Sequence, residues 1–182
     1  MKFLLFTFLA LLAFSPAAYA QEQQNERDKG IGLYRQGEYE KAVEVLQSRV
    51  KTEEKDRLAW IYLGGAYVKL KKDKEAVKAF RQTNVVYDEN LPDYDKKLKI
   101  TNRPHAGYTQ SARENGISGK ITIAVEFGAD GKIGFAFPIQ KLPYGLTENA
   151  LEAAKSITFE PAEIGGKPVT TIKIVSYEFM TY

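Results

Sequence analysis

The chain has 182 residues, of which 44% are hydrophobic and 27% are charged, as in folded domains rather than disordered or fibrous chains. It has no cysteine and one histidine, which excludes disulfides, thiolate metal sites and multi-histidine metal sites. With 26 Lys and Arg against 23 Asp and Glu, the net charge of +3 gives no argument for nucleic-acid binding.

Residues 1–20 have the organisation of a secretory signal peptide. Lys2 supplies a positive start, residues 3–14 are almost entirely apolar, and residues 18–20 (Ala-Tyr-Ala) form a small-residue cleavage site. Because a membrane span needs about 20 apolar residues, we expect cleavage before Gln21 rather than retention in the membrane. An exported chain without cysteine suits the bacterial periplasm, where folding need not depend on disulfides. The alternative is an uncleaved anchor in the inner membrane.

Residues 21–90 contain no proline and repeat with a period of 34 residues. Gly30 aligns with Gly64, and Leu46 aligns with Phe80. A 34-residue period of helical pattern resembles the tetratricopeptide (TPR) family of helix–turn–helix repeats. The residues that match the family pattern in the second copy are Trp60, Leu63, Gly64, Tyr67, Ala76 and Phe80.

TPR arrays bind extended peptides on the concave face of their first helices, so the resemblance implies a partner-binding face here. Two repeats rarely bury a continuous core. Two interpretations of the concave face therefore stay open: a groove for a partner, or a face covered by the rest of the chain. We also expect the helical half to pack on the neighbouring domain or to form a homodimer. The residues expected on this face are Arg27, Ile31, Tyr34, Arg35, Ile61, Val68 and Lys69.

Residues 91–103 are interpreted as a linker between two domains. Pro92 disfavours helix at Leu91. The charged stretch 93–99 (Asp-Tyr-Asp-Lys-Lys-Leu-Lys) is interpreted as a helical turn that closes the repeats and exposes its charges to solvent.

From residue 104 onward the apolar period changes from 3.6 to 2. Residues 121–127 and 133–139 alternate apolar and polar side chains, and Asp130-Gly131 between them predicts a β-hairpin. A short helix that ends at Gly116 precedes the hairpin.

A second helix follows, with Thr147 as its expected N-cap. The last strand lies within residues 169–180, and its apolar phase shifts after Ile174, which indicates a β-bulge or burial of both faces. The predicted fold class is α+β: helical hairpin repeats, then a small antiparallel three-stranded sheet with two helices.

Residues 104–182 resemble the C-terminal domain of the TonB family. Thr109 departs from the family pattern, which usually has a second proline there. The motifs that carry the resemblance are Pro104 with Tyr108, Ala112-Arg113, Gly116 to Gly119, Asp130-Gly131, Ala150 to Ala153, Phe159 with Pro161-Ala162, and Gly166 with Pro168-Val169.

In energy-transducing TonB proteins, a short segment of an outer-membrane receptor adds as a strand to an exposed sheet edge of this domain. The resemblance therefore implies that the final strand binds a partner, with Val175 and Tyr177 as anchors and Lys173, Ser176 and Glu178 at the rim. The competing interpretation is that these residues only form core and sheet surface. The implied partners are outer-membrane TonB-dependent receptors or inner-membrane motor subunits, and the chain would contact a membrane only through them.

The seven prolines form no cluster, so the long spacer that an energy transducer needs is not predicted. We therefore expect a periplasmic protein–protein adaptor made of two interaction modules, at a TonB-dependent transport system. The alternatives are a structural scaffold that binds the envelope or peptidoglycan, and a true TonB energy transducer with an uncleaved anchor. His105 is isolated in a loop and no catalytic motif is present, so we predict no enzymatic activity, cofactor or metal.

Overall fold

A computed structural model describes residues 16–83 and 94–180. The helices are α1 (Pro16–Arg35), α2 (Tyr39–Thr52), α3 (Arg57–Lys69), α4 (Asp73–Gln82), α5 (Gln110–Glu114) and α6 (Leu146–Lys155). The strands are β1 (Lys99–Asn102), β2 (Gly119–Phe127), β3 (Ile133–Gln140), β4 (Thr158–Glu160), β5 (Ala162–Ile164), β6 (Lys167–Val169) and β7 (Thr171–Phe179).

Some predicted segments lie outside the described residues. These are residues 1–15 of the predicted signal peptide, residues 84–90 of the predicted repeats and the first three residues of the predicted linker. The predicted cleavage site after Ala20 falls within α1.

Helices α1–α4 form two helix–turn–helix pairs, which we call the helical unit. The ends of α1 and α3 are 34 residues apart, and so are the starts of α2 and α4. A Cβ atom on Gly30 would lie 2.6 Å from the Leu46 side chain, and one on Gly64 would lie 2.6 Å from the Phe80 ring. The two pairs thus repeat the same close helix–helix contact, which accounts for the sequence period.

The turns inside the two pairs also share a conformation. Gly37 has a φ of 81°, and Lys71, at the matching position, has a φ of 57°. A left-handed conformation costs a lysine about 1–2 kcal/mol that it does not cost glycine. The second turn therefore stores local strain.

Residues 94–180 form the C-terminal unit, which contains an antiparallel sheet of order β3-β2-β7. Helices α5 and α6 cover one face, where Ala112, Leu146 and Ala150 pack with Ile121 and Ile123 of β2. Strand β4 pairs with β1, and β5 pairs with β6. The α+β prediction, with its three-stranded sheet and two helices, is confirmed.

The helical unit packs on the other face of the sheet. Its core includes Ala124 of β2, Ile139 of β3 and Ile172 of β7. On β7, Ile172 faces the helical unit and Val175 faces α6, while the register between β2 and β7 has no irregularity. Burial of both faces, and not a β-bulge, therefore explains the shifted apolar phase.

Two local predictions are wrong. Thr147 does not cap α6; Gly145, with a φ of 78°, occupies that position, and Thr147 Oγ1 instead donates to the Leu142 carbonyl at 2.7 Å. Tyr94 to Lys99 do not form a helical turn, because Asp95 N–H donates to the Glu163 carbonyl at 3.0 Å and β1 begins at Lys99. The end of the predicted linker thus belongs to the C-terminal unit.

Candidate partner-binding edge

Strand β7 forms one edge of the central sheet. Its nine residues pair with β2 in an unbroken register, from Phe179 opposite Gly119 to Thr171 opposite Phe127. Among residues 16–83 and 94–180, no strand pairs with its other edge. An edge of this length is a template for a further strand.

Side-chain hydrogen bonds identify the residues whose backbone groups face outward. The Ser176 carbonyl accepts from Arg103 Nη2, and Arg103 lies outside the β3-β2-β7 sheet, so this carbonyl faces the free edge. Because backbone groups alternate along a strand, Ile172, Ile174 and Glu178 also direct N–H and C=O groups to the free edge. Intervening residues such as Lys173 direct theirs toward β2.

Both ends of this free edge are engaged by side chains. At one end, the Thr170 carbonyl accepts from Tyr62 Oη at 3.0 Å and from Arg35 Nε at 3.2 Å. At the other, Arg103 contacts the Ser176 carbonyl and its guanidinium carbon lies 4.8 Å from the centre of the Tyr177 ring. Between them lie the outward backbone groups of Ile172 and Ile174 and the N–H of Ser176, because Arg103 bonds to the carbonyl of Ser176 and not to its N–H.

The opposite edge of the sheet, formed by β3, is less suited to strand addition. Pro138 lies within β3 and has no N–H group. The pairing of β3 with β2 also shifts register twice, after Thr122 and after Glu126. Prolines and bulges are the features by which edge strands avoid pairing, so β7 is the better template.

A groove of about 330 Å³ runs along the open part of the β7 edge. The N-terminal half of α3 forms one wall, and residues 94–98 contribute to the opposite wall. A second depression of about 260 Å³ lies beside residues 103–106 and 176–178. The residues that line the groove are Arg57, Leu58, Ile61, Tyr94, Lys97, Leu98, Ala162 and the β7 residues 171–174.

The start of α3 is fixed by a buried ion pair. Asp56 Oδ1 accepts from Ala59 N–H at 3.0 Å and so caps the helix, and Asp56 Oδ2 lies 2.7 Å from Arg49 Nε of α2. Both side chains are buried. These contacts place Arg57 and Leu58 at the groove.

The residues predicted at the final strand occupy two different environments. Lys173 and Glu178 are exposed and Ser176 is half-buried, whereas Val175 and Tyr177 are buried beneath α5 and α6. The side chains of Val175 and Tyr177 therefore belong to the core. Sequence reasoning missed Ile172 and Ile174. Their outward backbone groups follow from the alternation along a strand once the Ser176 carbonyl is known to face outward.

Most of the residues predicted on the TPR-like concave face belong to, or pack against, the core that the helical unit shares with the sheet. Ile31, Tyr34 and Ile61 are buried in the core that includes Ile172, and Val68 packs against that core. Arg27 is buried as well. A partner peptide would reach the buried side chains of Ile31, Tyr34 and Ile61 only if the helical unit separated from the sheet.

Glu126 of β2 joins the two units through a polar network. Its carboxylate accepts from Tyr34 Oη and lies 2.7 Å from Lys69 Nζ. Burial, together with the Glu126 carboxylate, raises the pKa of the Tyr34 phenol above its ordinary value. Tyr34 therefore stays protonated and donates its hydrogen bond at neutral pH.

Tyrosines at both ends of the edge also stay protonated. Burial raises the pKa of Tyr62, and Arg35 opposes that shift. Burial likewise raises the pKa of Tyr177 against the influence of Arg103. The Tyr62 hydroxyl therefore acts as a donor to the Thr170 carbonyl.

Two further properties bear on function. Within residues 16–83 and 94–180, no three His, Asp or Glu side chains are grouped so that they could hold a metal ion. Over the same ranges, none of the helices combines the length and the apolar character needed to cross a membrane.

Comparison with known proteins assigns the C-terminal unit. Residues 104–181, less than half of the chain, match the family described as Gram-negative bacterial TonB protein C-terminal. The solution NMR structure of the Pseudomonas aeruginosa TonB C-terminal domain is 23% identical over 47% of this chain and 87% of that chain, with a TM-score of 0.39. No curated protein matches the chain. By the family match, residues 104–181 are TonB-like, as their motifs predicted.

Proposed function

We propose that this chain is an exported adaptor of the bacterial envelope that binds an extended segment of a partner protein by strand addition to β7. The observation that carries the proposal is the free edge of β7, where Ile172 and Ile174 present backbone groups without a strand partner in the described residues. Backbone hydrogen bonds supply affinity in strand addition, and side-chain pockets supply specificity. The groove beside the same two residues provides such a pocket.

The match to the TonB C-terminal family supports an interaction role at the envelope. The signal-peptide pattern of residues 1–20 supports export. We propose that the partners belong to a TonB-dependent transport system: outer-membrane receptors or inner-membrane motor subunits. The helical unit covers one face of the sheet and supports the edge from the side.

Affinity capture tests this proposal, with the exported protein (residues 21–182) as bait. Ser176→Pro removes an outward N–H without removing a bond to β2, because Ser176 faces the free edge. Ser176→Ala is the matched control, since it loses the hydroxyl and keeps the N–H. We expect the wild-type and Ser176→Ala proteins to recover the same envelope proteins and Ser176→Pro to lose them.

An unchanged set of captured proteins with Ser176→Pro would contradict strand addition at β7. Sedimentation with purified peptidoglycan, equal for all three proteins, would instead favour a structural scaffold of the cell wall. The variants must unfold at similar urea concentrations for the comparison to apply.

A further inference from the structure

The groove at the β7 edge is built by both units of the protein. Leu58 and Ile61 of α3 face it from the helical unit, and Leu98 faces it from the C-terminal unit. The TonB-like match begins at residue 104, so neither α3 nor Leu98 lies within it. Segments outside the family domain therefore shape the surface beside its free edge.

The two sides of the β7 edge differ in chemistry. Ile172 and Ile174 pack with the helical unit, so the side that faces α3 is apolar, with Leu58 6% exposed and Ile61 4% exposed. Thr171 and Lys173 have the opposite parity and lie on the side of Leu98. Because side chains alternate along a strand, an added strand presents successive residues to these two sides in turn.

Positive charge surrounds the groove. Its described lining residues include Arg57, Lys97 and Lys173, and none of them is an acid. Glu163, one of the nearby carboxylates, is already engaged by Lys96. A segment with carboxylates on the lysine side is therefore favoured over a neutral or basic one.

On the same side, the described residues offer no hydrogen-bond partner to a buried hydroxyl. Thr171 is 5% exposed, and its Oγ1 forms no hydrogen bond to any described residue. Nearly all buried polar side chains are hydrogen-bonded, so Thr171 Oγ1 is available to a donor or acceptor of an added strand. It lies among the lining residues, two positions before Lys173, and so on the same side of β7 as Lys173.

From these observations we infer that the partner segment of the proposed adaptor alternates aliphatic and acidic residues, and that α3 helps to select it. Its aliphatic side chains lie against Leu58 and Ile61. Its carboxylates lie on the side of Thr171, Lys97 and Lys173. This inference rests on strand addition at β7 and adds the chemistry of the segment and the contribution of the helical unit.

Peptide binding by fluorescence anisotropy tests the charge preference. The probe is a fluorescein-labelled Ser-Val-Asp-Val-Asp-Val-Ser amide, and its counterpart has Lys in place of both Asp residues. We expect the exported protein to bind the Asp probe about tenfold more tightly than the Lys probe. The double change Lys97→Glu and Lys173→Glu should reverse the preference, while Lys74→Glu with Lys78→Glu on α4 should leave it in place.

Disulfide trapping tests the alternation and the role of α3, because the chain has no cysteine of its own. In a glutathione redox buffer, a peptide with Cys at the central Val position should trap Leu58→Cys in preference to Lys173→Cys. A peptide with Cys at an Asp position should show the reverse preference. Arg57→Cys, at the rim of the same wall, replaces Leu58→Cys if that variant does not fold.

The outcomes separate this inference from the proposed function. Equal affinity for both probes, with binding still lost in Ser176→Pro, would overturn the inference and leave strand addition standing. Binding that follows charge reversal but survives Ser176→Pro would overturn strand addition itself. Failure of both probes to bind would also overturn the inference, whether the protein sediments as a monomer or as a dimer.

Discussion

Lys69→Met tests whether the Glu126 network holds the helical unit on the sheet. The Glu126 side chain is 6% exposed and that of Lys69 is 25% exposed. Breaking a fully buried ion pair costs about 3–5 kcal/mol, and partial access of water to Lys69 lowers the cost here. We therefore expect Lys69→Met to lower the free energy of unfolding by about 2–4 kcal/mol.

The second half of the test removes the buried charge as well. Glu126→Gln retains an acceptor for Tyr34 and lets Lys69 turn toward water, so we expect it to cost about 1–2 kcal/mol. The double variant leaves no unpaired charge and should be more stable than Lys69→Met alone. The coupling energy in this double-mutant cycle should reach about 2 kcal/mol.

Urea unfolding provides the assay, followed by the fluorescence of Trp60 on α3 and by far-UV circular dichroism. The two signals should coincide in the wild-type protein, because one shared core joins both units. Lys74→Met on the exposed face of α4 is the matched control and should cost less than about 0.5 kcal/mol. If the double variant loses as much stability as the two single variants together, the argument that Lys69 and Glu126 act as a network is refuted.

Three other predictions concern backbone strain, packing and export. In urea unfolding, Lys71→Gly should stabilise the protein by about 0.5–1 kcal/mol, and Gly37→Lys should destabilise it by about 1–2 kcal/mol. A loss of stability in Lys71→Gly and a gain in Gly37→Lys would contradict the strain assigned to the second turn. Gly65→Ala would place a Cβ atom 2.3 Å from Ile172 Cδ1, so it should lower the melting temperature. Adding Ile172→Val, which removes Cδ1, should restore part of the loss. An unchanged melting temperature in Gly65→Ala would refute the close approach of α3 to β7. N-terminal sequencing of the exported protein should begin at Gln21, and a sequence that begins at Met1 would favour the uncleaved anchor.

Much of the fold follows from local sequence pattern. The alternation on either side of Asp130-Gly131 predicted β2 and β3, because strand periodicity and turn preference agree there. The aligned Gly30 and Gly64 predicted the repeated helix pair, because only small residues allow this approach. Local and global requirements point to the same structure at these positions.

The errors arose where tertiary contacts override local preference. Thr147 has a side chain suited to an N-cap, but Gly145, in a left-handed conformation, occupies the N-cap position of α6, and Thr147 donates to the Leu142 carbonyl instead. The charged segment 94–99 has a composition compatible with helix, yet backbone bonds to Glu163 hold its start extended.

The candidate site was only partly accessible to sequence reasoning. The resemblance of residues 104–182 identified the final strand, but not which of its backbone groups are free, since that depends on the strand order β3-β2-β7. The groove was not predictable, because it forms where α3 and residues 94–98, distant in sequence, meet β7. Sequence alone predicts Val175 and Tyr177 as anchors, because an apolar residue near a binding edge has the same pattern whether it faces a partner or the core.

Amide hydrogen exchange at Ile172 and Ile174 tests the central claim most directly. In the nitrogen-15-labelled exported protein, these outward N–H groups should exchange faster than that of Lys173, which faces β2. Addition of the segment through which a captured partner protein binds should slow exchange at Ile172 and Ile174 by at least about tenfold and leave exchange at Lys173 little changed. Binding of the segment without protection at these two amides would contradict strand addition to β7.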